Sequence, residues 1–276
     1  MDEQSRASHC TMYIFPFSLY SIMAKFTAAL GPFTKEETLP LSVEYRLVNL
    51  HRGENLSEAY LMLNPKGQVP SMSVQGRPEA LTNSQAISYW FCELYPKLLP
   101  KAHREVIEVL LGQLHSIEGL SLSAPRPEDP QEDNVDPACD NLLARTGISD
   151  EYRRALEYKK EVDRGHMLKA LYHENIDRAE DQARVFFENI IKECKFESDG
   201  REWLFGDIVG PTVLDGHVIP FVARLVESGR EALVPDTVLD YAQRIVKTHP
   251  AWLEVTHGRR TSWDVSYGHV HLLEKI

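Results

Sequence analysis

Three hydroxyl-bearing positions stand where extended chain gives way to a helical pattern, a place where free backbone N–H groups and the helix dipole favour an anion. Ser18 follows a short β-prone run at 11–15. It precedes 22–30, whose apolar residues recur at helical spacing until Gly31-Pro32 stops them. Tyr20 and Ser21 add two more hydroxyls to the same stretch. Ser84 opens 84–94, where Ala86, Ile87, Trp90 and Phe91 share one side. Its hydroxyl and backbone N–H can bind a carboxylate. Thr212 opens 212–225 with Asp215 three residues on, the spacing of a capping box. That pair reads as a folding motif. Ser18 can likewise serve as a plain N-cap.

Other residue types that could do chemistry are poorly placed for it. Cys10, Cys92, Cys139 and Cys194 form no C-x-x-C pair, which argues against a zinc ribbon or dithiol redox site and fits a reducing, cytoplasmic setting. His269 and His271 make an H-x-H pair without the helical H-E-x-x-H or cysteine support of a metal site. The acidic stretch 129–136 lacks the glycine of a calcium-binding loop. A formal charge of −11, with no cluster of Lys and Arg, speaks against nonspecific nucleic-acid binding. Residues 11–24 are apolar but contain Pro16 and Ser18, follow an acidic start and are too short to span a bilayer. No membrane segment is expected.

The elements that must position Ser18 and Ser84 alternate over the first hundred residues. Strand-like runs at 11–15, 41–48, 70–74 and 79–81 interleave with helical patterns at 22–30, 56–63 and 84–94. The opening β-α-β suggests a parallel pair, and 70–81, turning at Gln75-Gly76-Arg77-Pro78, reads as a hairpin. Beyond Pro96 and Pro100 helices alone are expected, at 104–120, 150–174, 176–194, 212–225 and 234–246. A Pro- and acid-rich insert at 123–140 reads as a flexible loop. These patterns divide the chain into a disordered tail at 1–10, a mixed domain at 11–98, a helical domain at 104–262 and a tail at 263–276.

Four stretches resemble glutathione S-transferases. Leu63-Asn64-Pro65-Lys66-Gly67-Gln68-Val69-Pro70 is similar to that family's L-N-P-x-G-x-V-P segment, and Leu81-Thr82-Asn83-Ser84-Gln85-Ala86-Ile87 to its L-x-E-S-x-A-I segment. Pro16 to Ser21 lies where the family carries its catalytic Ser, Cys or Tyr. Leu204-Phe205-Gly206-Asp207 and Pro211-Thr212-Val213-Leu214-Asp215 resemble its L-x-G-D…S/T-x-x-D helix start. The resemblance spans about residues 11–252. It implies an α/β plus all-α architecture: an N-terminal thioredoxin-like domain followed by a C-terminal helical bundle domain.

The resemblance also implies a reaction. A free thiol has a pKa of roughly 8.5, so glutathione must be activated by a hydrogen-bond donor at its sulfur. Ser18 is the implied thiolate stabiliser, with Tyr20 and Ser21 as rivals. A cis Val69-Pro70 bond would present the Val69 backbone to the cysteinyl part of glutathione like an added strand. Asn83 and Ser84 would meet the γ-glutamyl end, although the family has Glu where Asn83 stands. Asn55 and Gln68 would lie near the glycyl carboxylate. Phe17, His115 and Tyr172 would face the second substrate, a small electrophile. The implied activity is glutathione transfer by thiolate attack. A glutathione-dependent cis–trans isomerase and a non-catalytic binding module are the alternatives. The insert and Asn83 suggest a specialised substrate, such as a fungal or microbial secondary metabolite. The family implies a homodimer.

Overall fold

The computed structural model describes residues 8–34, 41–123, 137–197 and 200–274. Among the described residues three strands form the sheet: β1 (Ser8–Ile14), β2 (Leu41–Leu47) and β3 (Ser71–Val74). Their order is β2-β1-β3, with β1 parallel to β2 from Ser8↔Leu41 to Ile14↔Leu47 and antiparallel to β3 from Cys10↔Val74 to Tyr13↔Ser71. The alternation of β1 puts Cys10, Met12 and Ile14 on one buried face, with Met72, Ile87 and Phe91 packed against them. Helices α1 (Leu19–Leu30), α2 (Glu58–Leu63) and α3 (Ser84–Leu94) complete this layer.

Two expectations are corrected here. Residues 8–10, read as tail, belong to β1. The hairpin shrinks to a single bridge, Met72 to Leu81, closed by two backbone hydrogen bonds of 2.7 and 2.9 Å. The turn holds Pro78, which has no N–H to extend the ladder.

The helical layer contains α4 (Arg104–Ser116), α5 (Gly119–Ser123), α6 (Ala138–Leu143), α7 (Asp150–Ala170), α8 (His173–Glu193), α9 (Val213–Glu227), α10 (Asp236–Thr248) and α11 (Pro250–Thr256). Helices α5, α6 and α11 are additions to the sequence pattern. The insert expected as a loop lies outside the described residues at 124–136, but its end, 138–140, is helical. Helix α9 is the axle of the layer, buried from Val213 through Leu225. Gly216 lets it approach α1: a Cβ there would lie 2.3 Å from Thr27 Oγ1.

Helices α6 and α7 fold back over α2. Leu56, Leu61, Cys139, Tyr152 and Leu156 form one apolar cluster, and the Tyr152 hydroxyl donates to the Leu56 carbonyl at 2.6 Å. The segment from 263, expected as a tail, also packs inward. Trp263, Val270 and Leu273 lie against the buried cluster of Phe15, Phe17 and Val48. Asn49 Nδ2 donates to the carbonyls of Val270, at 2.8 Å, and Leu273, at 3.3 Å. Among the described residues no helix is long and apolar enough to cross a membrane.

Candidate functional site

A cavity of about 770 Å³ opens where the starts of α1 and α3, the α2–β3 loop, the α4–α5 junction and α7 meet. Ser18 stands at its edge as the N-cap of α1, its Oγ accepting from the Ser21 N–H at 3.3 Å. Capping uses a lone pair, and the hydroxyl hydrogen donates to no described residue. The residue before it is anchored from below: buried Arg224 of α9 donates to the Phe17 carbonyl at 2.8 Å and to Thr261 at 2.6 and 3.0 Å. Burial brings the Arg224 guanidinium down to about 10, still protonated at neutral pH.

Val69 and Pro70 line the same cavity, and their peptide bond is cis. The Gln68 carbonyl is pinned by Tyr60 Oη at 2.7 Å and Asn64 Nδ2 at 2.8 Å, while the Val69 N–H and C=O make no backbone hydrogen bond to described residues. Asn55 holds the Gly67 carbonyl at 2.9 Å. At α3 the cap is Asn83, whose Oδ1 accepts from the Ala86 N–H at 2.7 Å. Ser84 is therefore the first helical residue, buried and with its N–H at the helix start. Asn55, Gln68, Asn83 and Ser84 all line the cavity.

The α4–α5 junction of the helical layer supplies more of the wall, beside Tyr20 of α1. Tyr20 and His115 both line the cavity and stack on each other, ring centroids 5.9 Å apart. Burial, with the Glu118 carboxylate nearby, pushes the Tyr20 phenol up to about 12, so it is neutral. A Cβ on Gly119 would lie 2.6 Å from Tyr20 Oη; glycine there makes room for the phenol. His115 Nε2 is 2.9 Å from His217 Nδ1, and His217 Nε2 is 2.8 Å from Ser88 Oγ. Burial lowers the His115 imidazole to about 4, and burial with His115 alongside holds the His217 imidazole well below its ordinary value, so both are neutral at pH 7. Ile117 and Leu120 supply apolar surface, and α7 adds the Lys159–Asp163 ion pair at 2.5 Å.

Nine of the residues expected at the site thus meet in one cavity: Ser18, Tyr20, Asn55, Gln68, Val69, Pro70, Asn83, Ser84 and His115. Three do not. Phe17 is buried against Trp263, with ring centroids 4.9 Å apart, and stacks on Tyr267. Its side chain is core because the segment from 263 covers it. Ser21 is buried, its Oγ accepting from the Phe15 N–H at 3.4 Å. Tyr172 stands at the α7–α8 turn, outside the cavity lining, as the N-cap of α8. The sequence patterns missed Arg224, His217, Ser88, Lys159 and the stretch Leu50 to Gly53. Arg224 and His217 did carry a signal: both are polar residues inside the apolar run of α9.

Residues 35–101 match the model of the glutathione S-transferase N-terminal domain. Among solved structures, the chain is similar to a bacterial zeta-class maleyl pyruvate isomerase. The identity is 20% and the TM-score 0.55, covering 92% of this chain and 100% of that one. A beta-etherase from Sphingobium sp. is 15% identical with a TM-score of 0.60, covering 91% and 99%. A maleylacetoacetate isomerase from Anaeromyxobacter dehalogenans, solved with dicarboxyethyl glutathione in its active site, is 17% identical with a TM-score of 0.52, covering 96% and 98%. A comparison with curated protein sequences finds no match. The fold class is a thioredoxin-like layer followed by a helical one. The chain shares the fold of these glutathione-transferase structures, and the match to that family's N-terminal model covers residues 35–101.

Proposed function

We propose that this chain activates the thiol of glutathione and presents it to a small, largely apolar electrophile. The observation that carries this reading is the meeting of Ser18, Val69 and Ser84 in one cavity. A donor hydroxyl at the start of α1 suits a thiolate. The unpaired Val69 backbone suits the cysteinyl amide. The start of α3 suits the γ-glutamyl carboxylate. Asn55 and Gln68 then flank the glycyl end, and Ile117 and Leu120 face the electrophile. Asn83 keeps an acceptor oxygen at the γ-glutamyl end without a charge. A cytoplasmic homodimer accompanies this reading.

Calorimetric titration of glutathione, with the thiolate absorbance of the bound form recorded, tests it. Wild type and Ser18→Ala should both bind. Ser18→Ala should lose the thiolate band at neutral pH and roughly 10²-fold in turnover, as when one anion-stabilising donor is removed. No binding at millimolar glutathione would overturn the reading. A second reading uses the same thiolate to add to a double bond, allow rotation and leave. Two structurally similar proteins carry the isomerase name. Recovery of all glutathione after turnover would select it over transfer.

A further inference from the structure

The polar chain behind His115 has a direction. It ends at the Met23 carbonyl, which can only accept, so the Thr27 hydroxyl donates there at 2.9 Å. The Thr27 oxygen then accepts from the Ser88 hydroxyl at 3.4 Å. With its own hydrogen committed, Ser88 Oγ accepts from His217 Nε2–H. A neutral His217 protonated at Nε2 has a bare Nδ1, which accepts from His115 Nε2–H. His115 in turn carries its one hydrogen on Nε2, leaving Nδ1 a lone pair. The two nitrogens of an imidazole point away from each other, so an Nε2 turned into the interior turns Nδ1 outward. His115 lies in the cavity wall, and its Nδ1 has no partner among the described residues.

The surroundings reinforce an acceptor character. Glu118, one turn on, lines the same wall, with its Oε1 accepting from the Leu120 N–H at 3.2 Å. The Tyr20 phenol stacked on His115 is uncharged. The rings against His115 are Tyr20 and His217, and the cations of the cavity lining, Arg52 and Lys159, stand on the Leu50 to Gly53 stretch and on α7.

We propose that His115, held as the Nε2–H tautomer by His217 and Ser88, is a specificity residue whose Nδ1 selects uncharged electrophiles bearing a hydrogen-bond donor, a hydroxyl or an amide N–H, over carboxylates. The reading rests on glutathione occupying the cavity as proposed above. His115 touches the second substrate; His217 and Ser88 are positioning residues that set which nitrogen is bare. No proton changes hands in this role.

Three glutathione conjugates test it by calorimetry: S-(4-hydroxybenzyl)-, S-(4-methoxybenzyl)- and S-(4-carboxybenzyl)glutathione, with glutathione as reference. Wild type should hold the hydroxybenzyl conjugate about tenfold tighter than the methoxybenzyl one, with the carboxybenzyl conjugate weakest. His115→Phe should level the first two, and His115→Gln, which keeps an acceptor oxygen, should restore part of the preference. Ser88→Ala, which unpins the tautomer, should reduce it. Nitrogen-15 spectra of histidine-labelled wild type read the tautomer directly, with no variant to fold. A bare Nδ1 that shifts on addition of the hydroxybenzyl conjugate supports the proposal. A protonated Nδ1, or equal affinity of wild type for all three conjugates, overturns it. Absence of binding by glutathione itself overturns the transferase reading and the selection with it.

Discussion

Two buried polar networks hang from the same helix, two residues apart, and they end differently. Asp215 accepts from the Thr212 N–H at 2.8 Å and its hydroxyl at 2.6 Å, from the Leu204 N–H at 3.0 Å and from the Tyr241 hydroxyl at 2.6 Å. Burial pushes its carboxyl up, opposed by these donors. Every group in this set finds its partner inside the protein, so the network is closed and holds α9 to α10 and the loop before them. The His217 network starts just as deep, at Met23 and Thr27, but ends at a cavity wall. A buried polar chain is costly when any member lacks a partner. A chain that stops at a cavity therefore leaves a position for a ligand to fill. The closed network specifies the fold, and the open one specifies what the cavity receives.

The largest effect should come from the closed set. Asp215→Ala strands donors from three residues and should cost on the order of 4 kcal/mol in urea unfolding. If Asp215→Ala instead spared stability and altered ligand choice, the distinction between the networks would collapse. Acid should act next, and through the open set. Burial holds His115 at about 4 and His217 well below the ordinary 6.5, so between about 4 and 6.5 the unfolded chain takes up protons that the folded chain refuses. Stability is full above pH 6.5 and falls as pH drops toward 4, by roughly 3 kcal/mol from His115 alone. A His115→Phe variant should flatten that part of the profile, and an unchanged slope would remove the histidines as its cause. The smallest effect is Thr212→Ala, about 1 kcal/mol for the lost cap, with conjugate selectivity untouched. Ser88→Ala should cost a similar amount and, unlike Thr212→Ala, change selectivity.

What could be read in the sequence was what is local. The start of α1 at Ser18, the α2–β3 loop through Val69-Pro70, the start of α3 and the Thr212–Asp215 box each lie within a few consecutive residues. The remainder depends on partners far along the chain. His115 meets His217 across 102 positions, and Arg224 reaches the Phe17 carbonyl across 207. No spacing rule connects such pairs. Phe17 looked available to a substrate because its cover, Trp263 and Tyr267, sits in a stretch with neither helical nor strand period. The hairpin was overread because strand-like composition at 79–81 does not measure how many ladder bonds the backbone can form.

The clasp on Asn49 has a consequence for the order of assembly. Residues Leu50 to Gly53, which line the cavity, follow directly on Asn49, and the carbonyls that hold its side chain belong to Val270 and Leu273, 221 and 224 positions downstream. Arg52 also donates to the His271 carbonyl. A ribosome building the protein from its first residue has made both layers and most of the cavity before it adds these carbonyls. Closing so long a loop follows, rather than guides, the collapse of what it joins. The rim of the cavity is thus the last part of the site to be fastened, and a nascent chain that has folded its core still has an unlatched edge beside its ligand.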